Sequence, residues 1–427
     1  MSLHHSSELK RRLGLAPDRP YFEGFDPAEV PSPSFVIDRA ALQYNLDILS
    51  DVAERSGAEI LLALKAFSAF AVFDQVSEAL SGCCASGPHE ARLGREKIGK
   101  QVHSYSAAYS EEQLEELFVT SDHIVFNNLA QWLRFRARAN EVRVEQRAVR
   151  AATGCAQLSY GIRINPEQRE GTVDLYDPSA PGSRLGTTRQ QFDQTLAAAL
   201  GIEQSKLFTV LQQGWPEPLQ GLEGLHFHNL CEQGVEPLER TLATVEEVWG
   251  DLLCRPEIGW LNMGGGHHIT KPDYNRERLI ELVRRCREQY QLKVILEPGE
   301  AIAIHTGILV STVLDLSQNG STLLATLDCS ATCHMPDTLE MPYRAEIWGA
   351  EPPAVLPHTY RLGSQSCLAG DVMGNYSFAK PLQIGDRVIF DDMSHYTMVK
   401  TNTFNGIPLP SIVLWDSRTK KLEVVRS

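Results

Sequence analysis

Lys65 stands where an amine could do chemistry. It follows the run Ile60-Leu61-Leu62-Ala63-Leu64 and precedes Ala66-Phe67. A short apolar run of this kind, preceded by Gly57, reads as a buried parallel strand. Parallel α/β sheets present their chemistry at the C-terminal ends of their strands. An ammonium withdrawn from water there is costly unless it is paired or loses its proton. The neutral amine is a nucleophile able to carry an aldehyde as a Schiff base. The plainer alternative is a lysine that ends a strand and extends its stem into solvent.

Other side chains with chemical potential recur at similar places. Glu297-Pro298-Gly299 follows Val294-Ile295-Leu296, and a carboxylate there could keep a heteroaromatic ring nitrogen protonated. Gly264-Gly265-Gly266 follows Trp260-Leu261-Asn262-Met263, and three glycines let backbone N–H groups approach an anion, usually phosphate. A flexible turn is the alternative. His226 and His228 alternate on one strand and so face one side. They read either as half of a zinc site, completed by His267, His268 or Asp328, or as one inward His228 stacked on a flat ring. In Cys367-Leu368-Ala369-Gly370-Asp371 a thiol with a nearby carboxylate can relay a proton, although free cysteines also serve as inert core. Tyr396, ahead of Thr403-Phe404-Asn405-Gly406, can reach a phosphate with its hydroxyl or pack as a core aromatic.

The elements that must position these residues alternate. After a loose lead-in over residues 1–30, whose start at Met1 to Ser7 reads as polar and disordered, Ser34 to Ile37 is extended and Arg39–Ala53 has helical spacing at Leu42, Leu46 and Leu49. Strands are expected at the Lys65 run, Cys83–Ser86, His103–Tyr105, His123–Phe126, Tyr160–Asn165, Gly224–His228, Trp260–Met263 and Val294–Glu297. Helices are expected near Val72–Leu80, Pro88–Gly94, Glu111–Phe118 and Val235–Trp249. This strand–helix repeat predicts a (β/α)8 barrel or a doubly wound sheet over residues 31–305. Lys65, Arg163, His228, Gly264 and Glu297 all fall at strand ends. A barrel brings such ends to one mouth, which favours the barrel. From residue 306 to 427 short β-type runs alternate with Gly, Pro and Asn, predicting a mostly β domain that the segment 34–37 could join.

Composition narrows the class. A net charge of −14 argues against a nucleic-acid surface and suits small cationic substrates. No apolar run is long enough to span a bilayer, and no secretion signal is read at the start. Nine scattered cysteines, an odd number, fit reduced thiols in a cytoplasm better than a disulfide framework.

Taken in order, Lys65, His228, Gly264-Gly265-Gly266, Glu297-Pro298-Gly299, Cys367 to Asp371, and Tyr396 with Thr403 to Gly406 resemble the fold-type III pyridoxal-phosphate decarboxylases. These are the ornithine and diaminopimelate decarboxylase relatives, with an alanine-racemase-like barrel and a β domain. The resemblance runs from about Pro33 to Gly406. His228-Asn229-Leu230-Cys231-Glu232, Glu297 to Ala301 and Cys367 to Asp371 are most similar to the carboxynorspermidine decarboxylase branch.

The resemblance implies pyridoxal 5'-phosphate on Lys65, His228 stacked on its ring and Glu297 at the ring nitrogen. It also implies Gly264, Gly265, Gly266 and Tyr396 around the phosphate, with Glu90 and Arg163 close by. Cys367, as proton donor, and Asp371 would come from the partner subunit of a homodimer. The chain departs from the ornithine-type pattern at Glu300, where an arginine is expected, at Cys231 in place of a serine, and at Leu368 in place of an acidic residue. Those departures suit a longer carboxylated polyamine, with Glu300, Asp371, Asp337, Glu340 and Tyr343 as candidates for its amines. The expected reaction is decarboxylation of carboxynorspermidine or carboxyspermidine. Carboxyaminopropylagmatine, a basic amino acid of the diaminopimelate or ornithine type, and a racemase of the same fold are nearer alternatives. A zinc-dependent barrel hydrolase and a non-catalytic cofactor carrier are more distant ones.

Overall fold

The computed structural model describes residues 3–171, 174–341 and 343–426. The chain divides into two compact units, one holding Asp47–Lys65 and Phe73–Ala301, the other Ala66–Val72 with the two ends of the chain. The first strand, β1 (Ser34–Asp38), belongs to the second unit.

The first unit is a closed barrel of eight parallel strands, each beside its sequence neighbour. They are β2 (Glu59–Ala63), β3 (Gly82–Ala85), β4 (Gln101–Tyr105), β5 (His123–Phe126), β6 (Ser159–Arg163), β7 (Leu222–His226), β8 (Trp260–Asn262) and β9 (Lys293–Leu296). Closure comes from β2 pairing with β9 through Glu59 with Ile295 and Ile60 with Leu296. The helices between them carry their own start and stop signals. Glu111–Thr120 and Arg189–Leu200 each open on a capping box, Ser110 with Gln113 and Thr188 with Gln191. Val235–Leu253 buries Val235, Leu238, Leu242, Val245, Trp249 and Leu252 on one stripe against the barrel.

The barrel interior is filled by one large side chain over two missing ones. Trp260 is buried, and a Cβ on Gly224 or Gly161 would come within 2.0 Å and 2.2 Å of its indole. Its Nε1–H donates to Ser159 Oγ at 2.9 Å, which satisfies the one polar atom of the ring.

The 25-residue helix Leu129–Thr153 has no counterpart in the expected elements. Its buried stripe stops at Val142 apart from Arg150, and the half beyond is polar. Ion pairs from Arg138 to Glu115 and Glu141, and from Arg150 to the buried Asp122, support it. Its first half does carry helical spacing, at Leu129, Trp132, Phe135, Ala139 and Val142, with Asn128 and Gly154 capping its ends; only the polar half beyond Val142 lacks an apolar stripe.

In the second unit the strands β10 (Gly307–Asn319), β11 (Thr322–Leu327), β12 (Ala350–Glu351), β13 (His358–Ser364), β14 (Val372–Phe378), β15 (Arg387–Phe390), β16 (Ser411–Asp416) and β17 (Lys421–Arg426) join β1 in one nine-stranded sheet. The long β10 organises it, pairing β1 and β15 along its first half and β11 along its second.

Alternation along β1 and β10 makes two apolar faces. Phe35 and Leu309 enter one core, Val36, Ile308 and Val310 the other. The second face is covered by Tyr21, Phe22, Phe25 and Val30. The lead-in is therefore packed rather than loose, because a sheet apolar on both faces must be covered on both. Of the start read as disordered, Met1 and Ser2 lie outside the described residues, and Leu3–Arg12 is a helix.

Candidate active site

The carboxyl ends of the barrel strands gather most of the residues singled out above. Lys65 lies in the turn just past β2, Glu90 on the helix after β3, Arg163 at the end of β6, and His228 two residues past β7. Gly264 to Gly266 follow β8 and Glu297 follows β9. The Lys65 side chain opens to solvent, yet the surrounding protein strips enough hydration to lower its pKa. The Cys84 sulfur, Glu297 and Glu90 oppose that fall, and Arg163 adds to it. An amine with a lowered pKa is a better nucleophile at neutral pH.

Glu297 receives Asn262 Nδ2–H on Oε1 at 2.7 Å, while its backbone N–H donates to Gly264 O at 2.7 Å. Burial raises its pKa, and the hydrogen bond from Asn262, the charges of Lys65 and Arg163 and the Cys84 thiol restrain the rise. His228 Nδ1 accepts the Gly265 N–H at 3.1 Å, which places any proton of the neutral ring on Nε2. Burial, Lys65 and Arg163 hold this imidazole neutral. Arg163 is itself buried, donates to His228 O at 2.8 Å and lies 4.6 Å from the centroid of the Tyr105 ring.

The glycine run is dictated by packing. A Cβ at Gly264, Gly265 or Gly266 would come within 2.6, 2.1 and 2.0 Å of the carbonyl oxygens of Phe227, Glu297 and Leu230. Gly264 and Gly266 also have positive φ, +67° and +83°. The loops after β7, β8 and β9 are thus stacked backbone to backbone. Two of the three amides expected to face an anion turn inward instead, Gly264 N–H to Asn262 Oδ1 and Gly265 N–H to His228 Nδ1.

The remaining candidates lie in the sheet unit, apart from Glu300. Asp371 is buried and accepts from Ser330 Oγ (2.7 Å), Ser366 Oγ (2.6 Å) and Thr332 N–H (3.1 Å). Burial would raise its pKa, but these hydrogen bonds leave it below the ordinary carboxylate value. Cys367 is exposed, its N–H donating to Asn405 Oδ1 at 3.0 Å. Asp337 and Glu340 share Lys400 Nζ, at 2.5 and 2.8 Å. Tyr343 OH lies 3.4 Å from Thr397 Oγ1, and Tyr396 opens the short helix Tyr396–Val399. Glu300, in the barrel unit, stands 3.3 Å from His268 Nε2.

The zinc alternative finds no ligand set. His226 faces Glu297, His228 is engaged by Gly265, His267 pairs with Tyr274 OH at 2.6 Å, and Asp328, in the sheet unit, accepts from Ser311 and Thr312. Among the described residues no group of three or more His, Cys, Asp or Glu could hold a metal ion.

A family profile described as pyridoxal-dependent decarboxylase, C-terminal sheet domain, matches residues 35–394. The chain belongs to the pyridoxal-dependent decarboxylases. It is 41% identical to a carboxyaminopropylagmatine decarboxylase of Synechocystis sp. over 90% of each chain. It is 37% identical to a carboxynorspermidine/carboxyspermidine decarboxylase of Campylobacter jejuni, over 93% of this chain and 96% of the other. The crystal structure of carboxynorspermidine decarboxylase from Campylobacter jejuni complexed with norspermidine superposes with a TM-score of 0.77 at 36% identity, covering 93% of this chain and 97% of that one.

The mouth of this decarboxylase barrel fits the cofactor the family name states. It offers an amine, a carboxylate, a neutral imidazole and a glycine loop with no room for side chains. Cys84, Tyr105 and Asn262, which the sequence did not single out, also stand there, as does His226, read from the sequence only as a possible zinc ligand. Tyr105, His226 and Asn262 are the last residues of their strands and Cys84 is the last but one of β3, so position at a strand end finds three of the four.

Proposed function

We propose that this chain decarboxylates a carboxylated polyamine, carboxynorspermidine or carboxyspermidine, using pyridoxal 5'-phosphate. The observation that carries the proposal is the convergence of Lys65, Glu297 and His228 at one barrel mouth. When bound, the cofactor supplies an electron sink for the pair left behind as the bond between the α-carbon and CO2 breaks. Lys65 Nζ would hold the cofactor through its aldehyde carbon. Glu297 would keep the ring nitrogen protonated, and His228, Arg163 and Glu90 would hold the ring. Gly266, the glycine whose amide is not turned toward Asn262 or His228, would hold the phosphate together with the Tyr396 hydroxyl, and Gly264 and Gly265 shape the loop.

Cys367 Sγ–H returns a proton to the α-carbon, so that substrate becomes amine plus CO2. It acts, with Asp371, from a second copy of the chain, which makes the working enzyme a homodimer. Asp337 and Glu340 already hold one ammonium, that of Lys400, and with Tyr343 and Glu300 they are the groups suited to the substrate's amines. No helix among the described residues is long and apolar enough to cross a membrane, and all nine cysteines are free thiols, in keeping with a reducing cytoplasm.

The 41% identity to the Synechocystis enzyme favours a second reading, carboxyaminopropylagmatine, in which a guanidinium replaces the distal amine. CO2 release from the three carboxylated polyamines, with diaminopimelate and ornithine as controls, decides. The proposal expects kcat/KM at least about tenfold higher for carboxynorspermidine or carboxyspermidine than for either control, and a like preference for carboxyaminopropylagmatine would give the second reading. Preference for diaminopimelate or ornithine would overturn it.

A further inference from the structure

His226 is the most deeply buried ionisable side chain of the mouth that has no assigned task. It is 2% exposed, and neither ring nitrogen has a hydrogen-bond partner among the described residues. A buried imidazole without a partner is expensive, and such groups are kept where function uses them. Its Nε2 points at one carboxylate oxygen, Oε2 of Glu297, at 3.6 Å, just beyond hydrogen-bond reach. The other oxygen, Oε1, is filled by Asn262. The ring stands edge-on to Tyr105, with centroids 5.5 Å apart, which leaves it little freedom to turn away.

We propose that His226 is a positioning residue for Glu297, its Nε2–H closing on Oε2 so that the carboxylate is held ionised, in one orientation, for the cofactor ring nitrogen. The inference rests on the proposed role of Glu297. Catalytic hydrogen bonds are often long in the free protein and tighten when the site is filled. The charge setting favours a neutral donor. Lys65 and Arg163 face His226 and oppose a second cation there, His228 and His103 are themselves held neutral, and Tyr105 adds no charge. Against Glu297 stand Lys65, Arg163 and the Cys84 thiol. A neutral imidazole can give this carboxylate a hydrogen bond without competing with the cofactor for its charge.

The test begins with the cofactor-free protein. Nitrogen-15 NMR of histidine-labelled chain, assigned by His226→Gln, should show His226 neutral with its proton on Nε2. A cationic ring, or a proton on Nδ1, would overturn the proposal. The equilibrium affinity for pyridoxal phosphate then reads the coupling. His226→Phe should weaken binding about tenfold and His226→Gln, which keeps an N–H, much less. In a Glu297→Gln background His226→Phe should cost nothing further. Equal losses in both backgrounds would mean packing alone and would also overturn it. A wild-type chain that takes up no pyridoxal phosphate would count against the proposed function, while the NMR would still decide the pairing.

Discussion

His226 in the barrel and His305 in the sheet unit are both largely withdrawn from water, yet their charges diverge. Loss of hydration lowers the pKa of His226, and Arg163 and Lys65 push it the same way. His305 suffers the same loss, but Asp392 and Asp391 outweigh it and its pKa rises. Its Nδ1 lies 3.6 Å from Asp392 and 3.9 Å from Asp391. Burial alone therefore does not fix a histidine's charge; the sign comes from what faces it. In the barrel mouth burial and the cations Lys65 and Arg163 keep the histidines neutral beside the Glu297 carboxylate. The sheet cluster pairs opposite charges, with Tyr21 OH and Trp348 Nε1–H also donating to Asp391, and it holds the lead-in against the sheet.

The contrast breaks most sharply at the amine. Lys65→Ala should lower turnover by about a thousandfold or more, measured as CO2 release, with the fold intact by circular dichroism. Cys367→Ala asks whether the sheet unit contributes chemistry as well as structure. Turnover should fall about a hundredfold while cofactor absorbance is retained, and loss of the cofactor would refute a proton-donor role. Gly224→Ala sets a methyl group against Trp260 in the packed barrel and should destabilise the fold by about 1–3 kcal/mol in urea unfolding.

The smallest effect belongs to the charged cluster. His305→Asn should cost about 1–2 kcal/mol at pH 6. Because the folded pKa of His305 is raised, its contribution is fully present below the ordinary histidine value of about 6.5 and is lost as pH rises through the folded value. The stability gap between wild type and His305→Asn should therefore narrow from pH 6 towards alkaline pH. A gap that widened would reverse the sign assigned to this group.

The barrel was legible because its strands are short apolar runs ending in polar residues, and Lys65, Arg163, His228 and Glu297 could be placed at one mouth from strand ends alone. The glycine run was legible as a tight place but not as a stacked one, since the neighbours that forbid a Cβ at Gly265 and Gly266 come from the loops after β9 and β7. His226 drew notice as a metal ligand because its spacing from His228 is local, whereas its actual neighbour, Glu297, is distant in sequence. The packed lead-in left one trace, Phe35-Val36-Ile37, apolar on both faces and so in need of cover on both. The helix Leu129–Thr153 left a trace in its first half, where Leu129, Trp132, Phe135, Ala139 and Val142 keep helical spacing, but little in the polar half beyond, which Arg150 ties to Asp122.

Reductive trapping tests most directly whether Lys65 anchors the cofactor. Purified protein loaded with pyridoxal phosphate is reduced with borohydride, digested and mapped by mass spectrometry. One reduced pyridoxyl adduct is expected, on Lys65, with loss of the visible cofactor absorption. A protein that takes up no cofactor, or an adduct on any other lysine, would contradict Lys65 as the anchor.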